Sequence, residues 1–452
     1  MNPNIEPLSV LGTDQIREIL AKRVNEQKQA VGIVAGIIEP KGRRVIAYGN
    51  LAQGDPRTLD GDTIFEIGSI TKVFTSLVLA DMVSRKEVTL DDPAGKYLPG
   101  HVRMPERSGK SITLLDLATH TSGLPRLPGN MKVENVANPY VDYQLDDLYQ
   151  FLSGYTLLRE PGSEFEYSNL GAGLLGHLLA NRAGTDYPSL IRSRITQPLG
   201  MPDTGITLSP SMKERMAASH NSMLAPTANW DSGTLAGAGA LRSSANDMLT
   251  FLEAFLGYKE TPLAPAMKTM LEVRRPMGHA KFEIGLAWQI FGRTAWHSGG
   301  TGGFTSAVIC DTKARTGVVV LSNASGAGVD DIGFHLLNPK VPLAIPEPPK
   351  ERTEIHLDPK LLDNYTGRYQ LKPNVIIEIT RDGDRLFSQP AMVTQPGISM
   401  PKLELFAEGE KNFFHKTVNA QISFETGPDG RATGLVIYRP GSGEKTPASR
   451  LS

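Results

Sequence analysis

The segment that decides the fold reads FEIGSITKVF and spans residues 65–74. It places a Ser-x-x-Lys motif at the start of a strongly apolar stretch, which predicts a long helix from Ser69 to about residue 85. Residues three apart share one face of a helix, so the Lys72 amine can reach the Ser69 hydroxyl. A buried lysine loses its proton more readily and can then act as a base toward a serine nucleophile. On the motif alone one alternative stays open, in which Ser69 is only a helix N-cap and Lys72 is solvated.

Ser-x-x-Lys is short enough to arise by chance, and the sequence contains it three times. The match at Ser399 includes a proline in a loop-like stretch, and the match at Ser442 lies in a tail rich in Gly and Pro. Only the match at Ser69 opens an apolar helix, whose N-terminus would also favour an oxyanion. The setting therefore selects Ser69 as the candidate nucleophile.

Two further polar motifs lie where a loop meets regular structure. Residues 167–169 read Tyr-Ser-Asn and come between a turn and a predicted helix. Residues 297–300 read His-Ser-Gly-Gly and end a predicted strand. A convergent catalytic site draws its polar groups from several such junctions. We therefore expect both motifs to lie near Ser69.

Together these motifs resemble those of the class C β-lactamase, DD-peptidase and related serine hydrolase superfamily, which includes D-aminopeptidase and family VIII esterase relatives. The resemblance extends to residues 112–125, ITLLDLATHTSGLP, and covers about residues 14–335. It implies an α+β fold, in which an antiparallel sheet is flanked by helices and carries an inserted helical subdomain. It also implies a serine acyl hydrolase that works through an acyl-enzyme intermediate. Ser-x-x-Lys is the nucleophile motif of such enzymes, although the identity of the base is disputed.

The resemblance implies three catalytic residues in this sequence. Ser69 would be the nucleophile, Lys72 would share or remove its proton, and Tyr167 would relay a proton to the leaving group. The backbone N–H groups of Ser69 and Gly300 would form an oxyanion hole, which typically contributes a few kcal/mol to catalysis.

The resemblance also implies the substrate-binding residues Asn169, His297, Ser298, Gly299 and Gly300. Asn169 would bind a substrate amide. His297 stands where many relatives have lysine, and Ser298 where they have threonine. Because an unperturbed imidazole has a pKa of about 6.5, we expect His297 to become charged as the pH falls toward 6. Substrates that carry a carboxylate would then bind better at lower pH.

The resemblance leaves the substrate class open. We expect esters, or amides and D-amino-acid peptides. Weak hydrolysis of β-lactams is expected, because His297 replaces lysine and Leu127 falls near a glutamine of class C enzymes. A true class C-type β-lactamase is one alternative. Another is a penicillin-binding sensor module that acylates but turns over slowly.

The pattern along the chain predicts three parts. Residues 1–338 form the hydrolase domain, and residues 339–356 form a Pro-rich linker. Residues 357–452 carry short alternating strands, which predicts a small all-β, barrel-like domain. This part resembles the lipocalin-like domain appended to some relatives.

Composition excludes several classes of partner. The 452 residues include 47 basic and 48 acidic side chains without a charged block, so nucleic acid is not an expected partner. The longest apolar stretch, residues 31–38, is far too short for a membrane span. We expect a small-molecule ester, amide or peptide substrate, and the oligomeric state stays open.

No cofactor or metal is expected. Gly171, Gly173 and Gly176 match the spacing of a dinucleotide-binding fingerprint, but they lie inside a predicted helix and indicate helix packing instead. No metal-ligand spacing of His or Cys is present. The sequence as written predicts a cytoplasmic protein, or a periplasmic or secreted one if a signal peptide was removed.

Overall fold

The computed structural model describes residues 11–278, 281–326, 328–372, 375–392, 402–441 and 443–451. Within these residues the chain forms an α+β unit followed by a closed β-barrel. Ser399 and Ser442, which open the two other Ser-x-x-Lys matches, lie outside the described residues.

The strands of the first unit supply its central layer. They are β1 (Gly32–Glu39), β2 (Gly42–Gly49), β3 (Ile64–Glu66), β4 (Glu106–Arg107), β5 (Lys110–Ser111), β6 (Arg242–Ser244), β7 (Arg275–Pro276), β8 (Phe282–Ile284), β9 (Gln289–Phe291), β10 (Thr294–Gly300), β11 (Thr305–Asp311) and β12 (Thr316–Ser322). Eight of them form one antiparallel sheet in the order β2-β1-β12-β11-β10-β9-β8-β7. The pairing of β1 with β12 joins strands from both ends of the unit, as the sequence predicts.

The helices cover both faces of this sheet. They are α1 (Thr13–Asn25), α2 (Thr71–Ser84), α3 (Leu114–Ala118), α4 (Leu145–Gly154), α5 (Asn169–Ala183), α6 (Tyr187–Ile191), α7 (Gln197–Leu199), α8 (Pro210–Glu214), α9 (Ala245–Phe255), α10 (Ala264–Glu272), α11 (Asp330–Leu337) and α12 (Pro359–Leu362). Short 3₁₀ helices span Gly68–Ile70, Ala94–Tyr97 and Gly233–Ala238, and a π-helical turn spans Arg192–Thr196.

The side chains of β1 alternate between two hydrophobic cores, one on each face of the sheet. Ile33, Ala35 and Ile37 pack on the side of α1 and α11, whereas Val34 and Ile38 pack on the side of α2 and α9. Burial on both faces explains why β1 reads as a continuous apolar run rather than as an alternating one.

The central helix α2 lies inside the second of these cores. Its residues from Thr71 to Met82 are all buried, and the ring of Phe74 lies 4.9 Å from that of Phe251 in α9. The predicted helix from residue 69 therefore exists, but its first turn is the 3₁₀ helix Gly68–Ile70. Because α2 is buried all round, it carries Lys72 into the protein interior.

The first helix, α1, ends at Asn25. The N–H groups of Glu26 and Gln27 both donate to the Lys22 carbonyl oxygen, and the regular hydrogen bonding of the helix ends there. Lys28 then adopts a φ of +52°, a left-handed conformation that a helix cannot continue through.

The barrel follows the Pro-rich segment and is closed. Its strands are β13 (Gly367–Lys372), β14 (Val375–Asp382), β15 (Arg385–Met392), β16 (Leu403–Ala407), β17 (Asn412–Phe414), β18 (Gln421–Thr426), β19 (Ala432–Arg439) and β20 (Glu444–Arg450). They pair in sequence order around the barrel, which confirms the expected small all-β domain. Its likeness to a lipocalin stays a prediction. The Asn419 N–H donates to Ser222 Oγ at 2.8 Å, so the barrel contacts the first unit directly.

Strand β10 packs tightly against the segment that precedes Ser69. The Ser306 hydroxyl donates to the Ile67 carbonyl at 2.9 Å. A Cβ atom at Gly299 would lie 2.0 Å from that same carbonyl oxygen and 2.3 Å from Ser306 Oγ. Only glycine therefore allows β10 to approach this segment so closely.

We expect Gly299→Ala to lower the thermal midpoint, because overpacking of this kind costs about 1–3 kcal/mol. Thermal unfolding followed by circular dichroism measures the effect. Gly300→Ala is the matched control, since its Cβ would meet nothing closer than the Phe304 carbonyl at 4.0 Å. Equal midpoints for the two variants would contradict this account of the packing.

Candidate active site

Ser69 and Lys72 form a direct contact at the start of α2. The Lys72 Nζ atom lies 2.9 Å from Ser69 Oγ and 2.6 Å from the Ala238 carbonyl oxygen. Gly68 makes the turn before Ser69 possible, because its φ is +50° and a Cβ there would lie 2.6 Å from the Gly300 nitrogen.

The Lys72 amine is desolvated and has no acidic partner among the described residues. Lys72 is 1% exposed, and its Nζ atom contacts the Ser69 hydroxyl and the Ala238 carbonyl oxygen. Burial, assisted by the positive charge of Arg126, holds the pKa of Lys72 well below its usual value. The alternative of a solvated lysine therefore does not describe the structure, and the neutral amine is favoured.

Tyr167 lies over the same pair from the loop that precedes α5. Its ring centroid is 4.8 Å from Lys72 Nζ and 4.5 Å from the ring of His120. Burial raises the pKa of Tyr167 to about 12, although its contact with the Ser69 hydroxyl and the charge of Arg126 both act to lower it. The phenol consequently keeps its proton at neutral pH.

Asn169 is the first residue of α5, where Ser168 caps the helix by accepting from the Gly171 N–H at 2.8 Å. The Asn169 Nδ2 atom donates to the hydroxyl of Tyr140 at 3.1 Å. Its Oδ1 atom is buried and has no hydrogen-bond partner in the structure. A buried acceptor without a donor is costly, which makes it a candidate contact for a substrate N–H group.

His120 packs against Tyr167 and Ser168. It is buried, and its Nδ1 atom accepts from the Ser168 N–H at 3.2 Å. Its φ of +56° is unusual for a residue other than glycine. These contacts indicate that His120 positions Tyr167 and Ser168.

Strand β10 presents a free edge beside Ser69. Strand β9 pairs with β10 only through residues 294–296, so residues 297–300 have no strand partner on that side within the described chain. Gly300 lines the same small cavity as Ser69. This geometry is compatible with an oxyanion hole formed by the N–H groups of Ser69 and Gly300.

His297 does not have the properties expected from the sequence. It is 2% exposed, and its Nδ1 donates to the Ser298 carbonyl oxygen at 2.7 Å. Burial is the largest cause that lowers the pKa of His297 to about 3. A proton on Lys72 would act in the same direction, and the hydrogen bond to Ser298 acts against it. The imidazole is therefore neutral between pH 6 and pH 8, and the expected charging near pH 6 is wrong.

Ser298 points to the other face of β10, because successive side chains alternate along a strand. Its hydroxyl donates to Asp330 Oδ1 at 2.5 Å, at the start of α11. Burial raises the pKa of Asp330, and the hydrogen bond from Ser298 partly offsets this rise. The Ser298 hydroxyl therefore binds the Asp330 carboxyl group and does not face the Ser69 cavity.

The cavity at Ser69 is small, about 30 Å³ in volume. Its lining residues are Ser69, Tyr140, Asn169, Trp230, Ser232, Leu235, Ala238, Gly239, Gly300 and Thr301. Tyr140 and Trp230 form one wall, with ring centroids 5.3 Å apart. Sequence reasoning missed Tyr140, which lies in a loop without any motif that would have identified it.

Two kinds of feature are absent from the described part of the chain. We find no group of three or more His, Cys, Asp or Glu side chains that could hold a metal ion. We also find no helix with the length and apolar character that a membrane crossing requires.

Comparison with known families agrees with this geometry. A family described as Beta-lactamase matches residues 16–336, and a domain of unknown function, DUF3471, matches residues 351–447. The first match covers the α+β unit with all three motifs, and the second covers most of the barrel.

Individual relatives are similar over most of the chain. The D-alanyl-D-alanine-carboxypeptidase/endopeptidase AmpH of Escherichia coli (strain K12) is 32% identical over 346 residues, which are 70% of this chain and 87% of that protein. Penicillin-binding protein 4* of Bacillus subtilis (strain 168) is 25% identical over 432 residues, 88% of this chain and 90% of that protein.

Solved structures share the fold. A β-lactamase/D-alanine carboxypeptidase from Yersinia pestis, complexed with citrate, superimposes with a TM-score of 0.60 at 26% identity. The superposition covers 69% of this chain and 92% of that one. With the family match, the relatives and the fold in agreement, this chain belongs to the Beta-lactamase family of serine hydrolases.

Proposed function

We propose that this protein is a serine acyl hydrolase that forms an acyl-enzyme on Ser69 and acts on esters or on amides and peptides of D-amino acids. The observation that carries the proposal is the desolvated Lys72 amine, 2.9 Å from the Ser69 hydroxyl and without an acidic partner in the described residues. An amine held neutral in this way is a base at the correct distance from a nucleophile.

Acylation begins with proton transfer from Ser69 Oγ to Lys72 Nζ. One hydrogen of the neutral amine donates to the Ala238 carbonyl at 2.6 Å, which turns the lone pair toward the serine. Oγ then attacks the carbonyl carbon, and the N–H groups of Ser69 and Gly300 stabilise the oxyanion. The C–O or C–N bond to the leaving group breaks as the tetrahedral intermediate collapses.

Tyr167 serves as the proton donor to the leaving group in this scheme. A phenol with a pKa of about 12 is protonated at neutral pH, so it cannot be the resting base. It can pass its proton outward and recover one from the Lys72 ammonium, whose Nζ lies 4.8 Å from its ring centroid. Water then attacks the acyl carbon while Lys72 accepts its proton. The bond between the acyl carbon and Ser69 Oγ breaks, and Lys72 returns the proton to Oγ.

The size of the cavity supports small acyl groups. The cavity of about 30 Å³ is walled by Tyr140 and Trp230, which supports a small acyl substituent such as a methyl group. The unpaired Oδ1 of Asn169 supports a substrate that bears an N–H group next to its acyl carbon. A D-alanyl group meets both conditions, and the relatives include D-alanyl-D-alanine carboxypeptidases.

We expect Ser69→Ala to reduce kcat for p-nitrophenyl acetate and D-alanyl amides by about three orders of magnitude or more. Lys72→Ala should be nearly as damaging, and Tyr167→Phe should slow turnover strongly because only the phenol oxygen is lost. Lys86→Ala, at an exposed site just after α2, is the control. Activity of Ser69→Ala within tenfold of wild type would refute the assignment.

The same panel, extended with a penicillin and a chromogenic cephalosporin, tests the second candidate function. Penicillin-binding protein 4* among the relatives favours a module that acylates with β-lactams. A stable penicillin adduct on Ser69 by intact mass, without turnover of any ester or amide, would identify a slow penicillin-binding module. A kcat/KM on the cephalosporin equal to that on the best ester would identify a β-lactamase.

The pH dependence follows from Lys72 and His297. Protonation of Lys72 removes the base, so kcat/KM for a neutral ester is expected to fall as the pH drops through the lowered pKa of Lys72. His297 stays neutral from pH 8 to pH 6 because its pKa is about 3. The ratio of kcat/KM for anionic and neutral substrates should therefore be flat over this range, and a rise toward pH 6 would show that His297 titrates there.

We expect Tyr140→Ala to raise kcat/KM for p-nitrophenyl hexanoate relative to acetate by about tenfold, because it removes one wall of the acyl cavity. Tyr140→Phe keeps the ring and loses only the hydroxyl that accepts from Asn169 Nδ2. It should keep the wild-type chain-length preference. An unchanged preference in Tyr140→Ala would mean that the wall lies elsewhere.

A further inference from the structure

Arg126 is a charged residue at the site to which the motifs assign no role. It follows directly on the segment 112–125, and its carbonyl oxygen accepts the N–H groups of Asn169 and Leu170 at 3.0 and 3.2 Å. Its guanidinium carbon lies 5.1 Å from the centroid of the Tyr167 ring. The backbone of Arg126 is therefore fixed to the first turn of α5, while its side chain is exposed above Tyr167.

The guanidinium of Arg126 has no ion pair or hydrogen bond within the described residues. The two acidic residues that flank the motifs in sequence are already paired. Glu66, three residues before Ser69, pairs with Arg242, and Glu166, next to Tyr167, pairs with Arg159. The charge of Arg126 is thus available to a ligand.

Arg126 also acts electrostatically on the groups of the site. Its charge lowers the pKa values of Lys72, Tyr167, His120 and Tyr140, in each case behind the larger effect of burial. A guanidinium keeps its charge at any ordinary pH. Arg126 is consequently a permanent cation close enough to act on the base Lys72 and on the His120 imidazole, and it lowers the pKa of both.

We propose that Arg126 is a specificity-determining residue that binds a carboxylate of the substrate, so that the hydrolase favours acyl substrates with a negative charge near the scissile bond. This inference rests on the proposed function of the site. A guanidinium presents parallel N–H donors that match the two oxygens of a carboxylate, and stacking on Tyr167 orients that fork. Arg126 would thereby provide a cationic contact for the carboxylate, although β10 carries His297 where many relatives have lysine.

The residues that the sequence suggested for this contact do not supply it. His297 is buried and neutral, and it donates to its neighbour's carbonyl. The Ser298 hydroxyl donates to Asp330, so it is not available to a substrate carboxylate. Arg126 offers the opposite sign beside Tyr167, and a substrate anion is therefore directed to that side.

The test compares charged and neutral substrates of matched shape. Mono-p-nitrophenyl glutarate against p-nitrophenyl butyrate places the carboxylate on the acyl side, and 3-carboxyphenyl acetate against phenyl acetate places it on the leaving group. The kcat/KM ratio within each pair cancels any shared effect on Lys72 or Tyr167. Wild type, Arg126→Gln and Arg126→Lys are measured at 0.05 and 0.5 M NaCl.

We expect Arg126→Gln to lower the anionic-to-neutral ratio about fivefold or more in one of the two pairs, which also identifies the side of the contact. Arg126→Lys should retain part of the ratio, and salt should lower it in wild type but not in Arg126→Gln. Arg103→Gln, at an exposed arginine outside the site, is the control and should leave both ratios unchanged.

An equal loss on anionic and neutral substrates would overturn the proposal, because Arg126 would then act only on Lys72 and Tyr167. A shift no larger than that of Arg103→Gln would overturn it as well. In either case hydrolysis of the neutral esters through Ser69 leaves the proposed function standing. Absence of any Ser69-dependent hydrolysis would overturn both the function and this inference.

Discussion

The structure of the site depends on one interaction, the contact of the Lys72 amine with the Ser69 hydroxyl inside the buried helix α2. Transfer of an ammonium ion from water into such an interior is costly unless a carboxylate compensates it, and none is provided in the described residues. The cost is avoided when the amine gives up its proton and keeps the Ala238 carbonyl as a hydrogen-bond acceptor. Desolvation of a single lysine therefore creates the base that the serine requires.

This condition places demands on the rest of the fold. The helix α2 must be covered on all sides, which the sheet achieves from one side and the inserted helical subdomain from the other. The end of strand β10 must also lie close to the segment that carries Ser69. Gly68 and Gly299 allow that approach, since a Cβ at either would meet backbone atoms within 2.6 Å. The two halves of the site are thus joined by close backbone contacts, together with the hydrogen bond from the Ser306 hydroxyl to the Ile67 carbonyl.

The motif residues could be predicted because their chemistry requires particular residue types at particular separations along the chain. The fold could be predicted with them because these motifs resemble those of one superfamily. A lysine three residues after a serine on an apolar helix, and polar groups at two strand or helix ends, are readable from the chain alone. Arg126 and Tyr140 could not be predicted, because they come from loops whose course depends on tertiary contacts. His297 was expected to become charged as the pH falls toward 6, and this is wrong because burial, which no local pattern records, lowers its pKa to about 3. The closure of the barrel likewise depends on pairing of β13 with β20, which no local pattern records.

Lys72 and Arg126 lie near the same aromatic ring, 4.8 and 5.1 Å from the Tyr167 centroid. The charge of Arg126 makes protonation of Lys72 less favourable, which keeps the amine neutral but also makes it a weaker base. A carboxylate bound to Arg126 would screen that charge and raise the affinity of Lys72 for a proton. The amine would then accept the proton of Ser69 more readily when such a substrate is present. Under the proposed role of Arg126, an anionic substrate both occupies the site and strengthens its base, so that recognition and activation share one electrostatic contact.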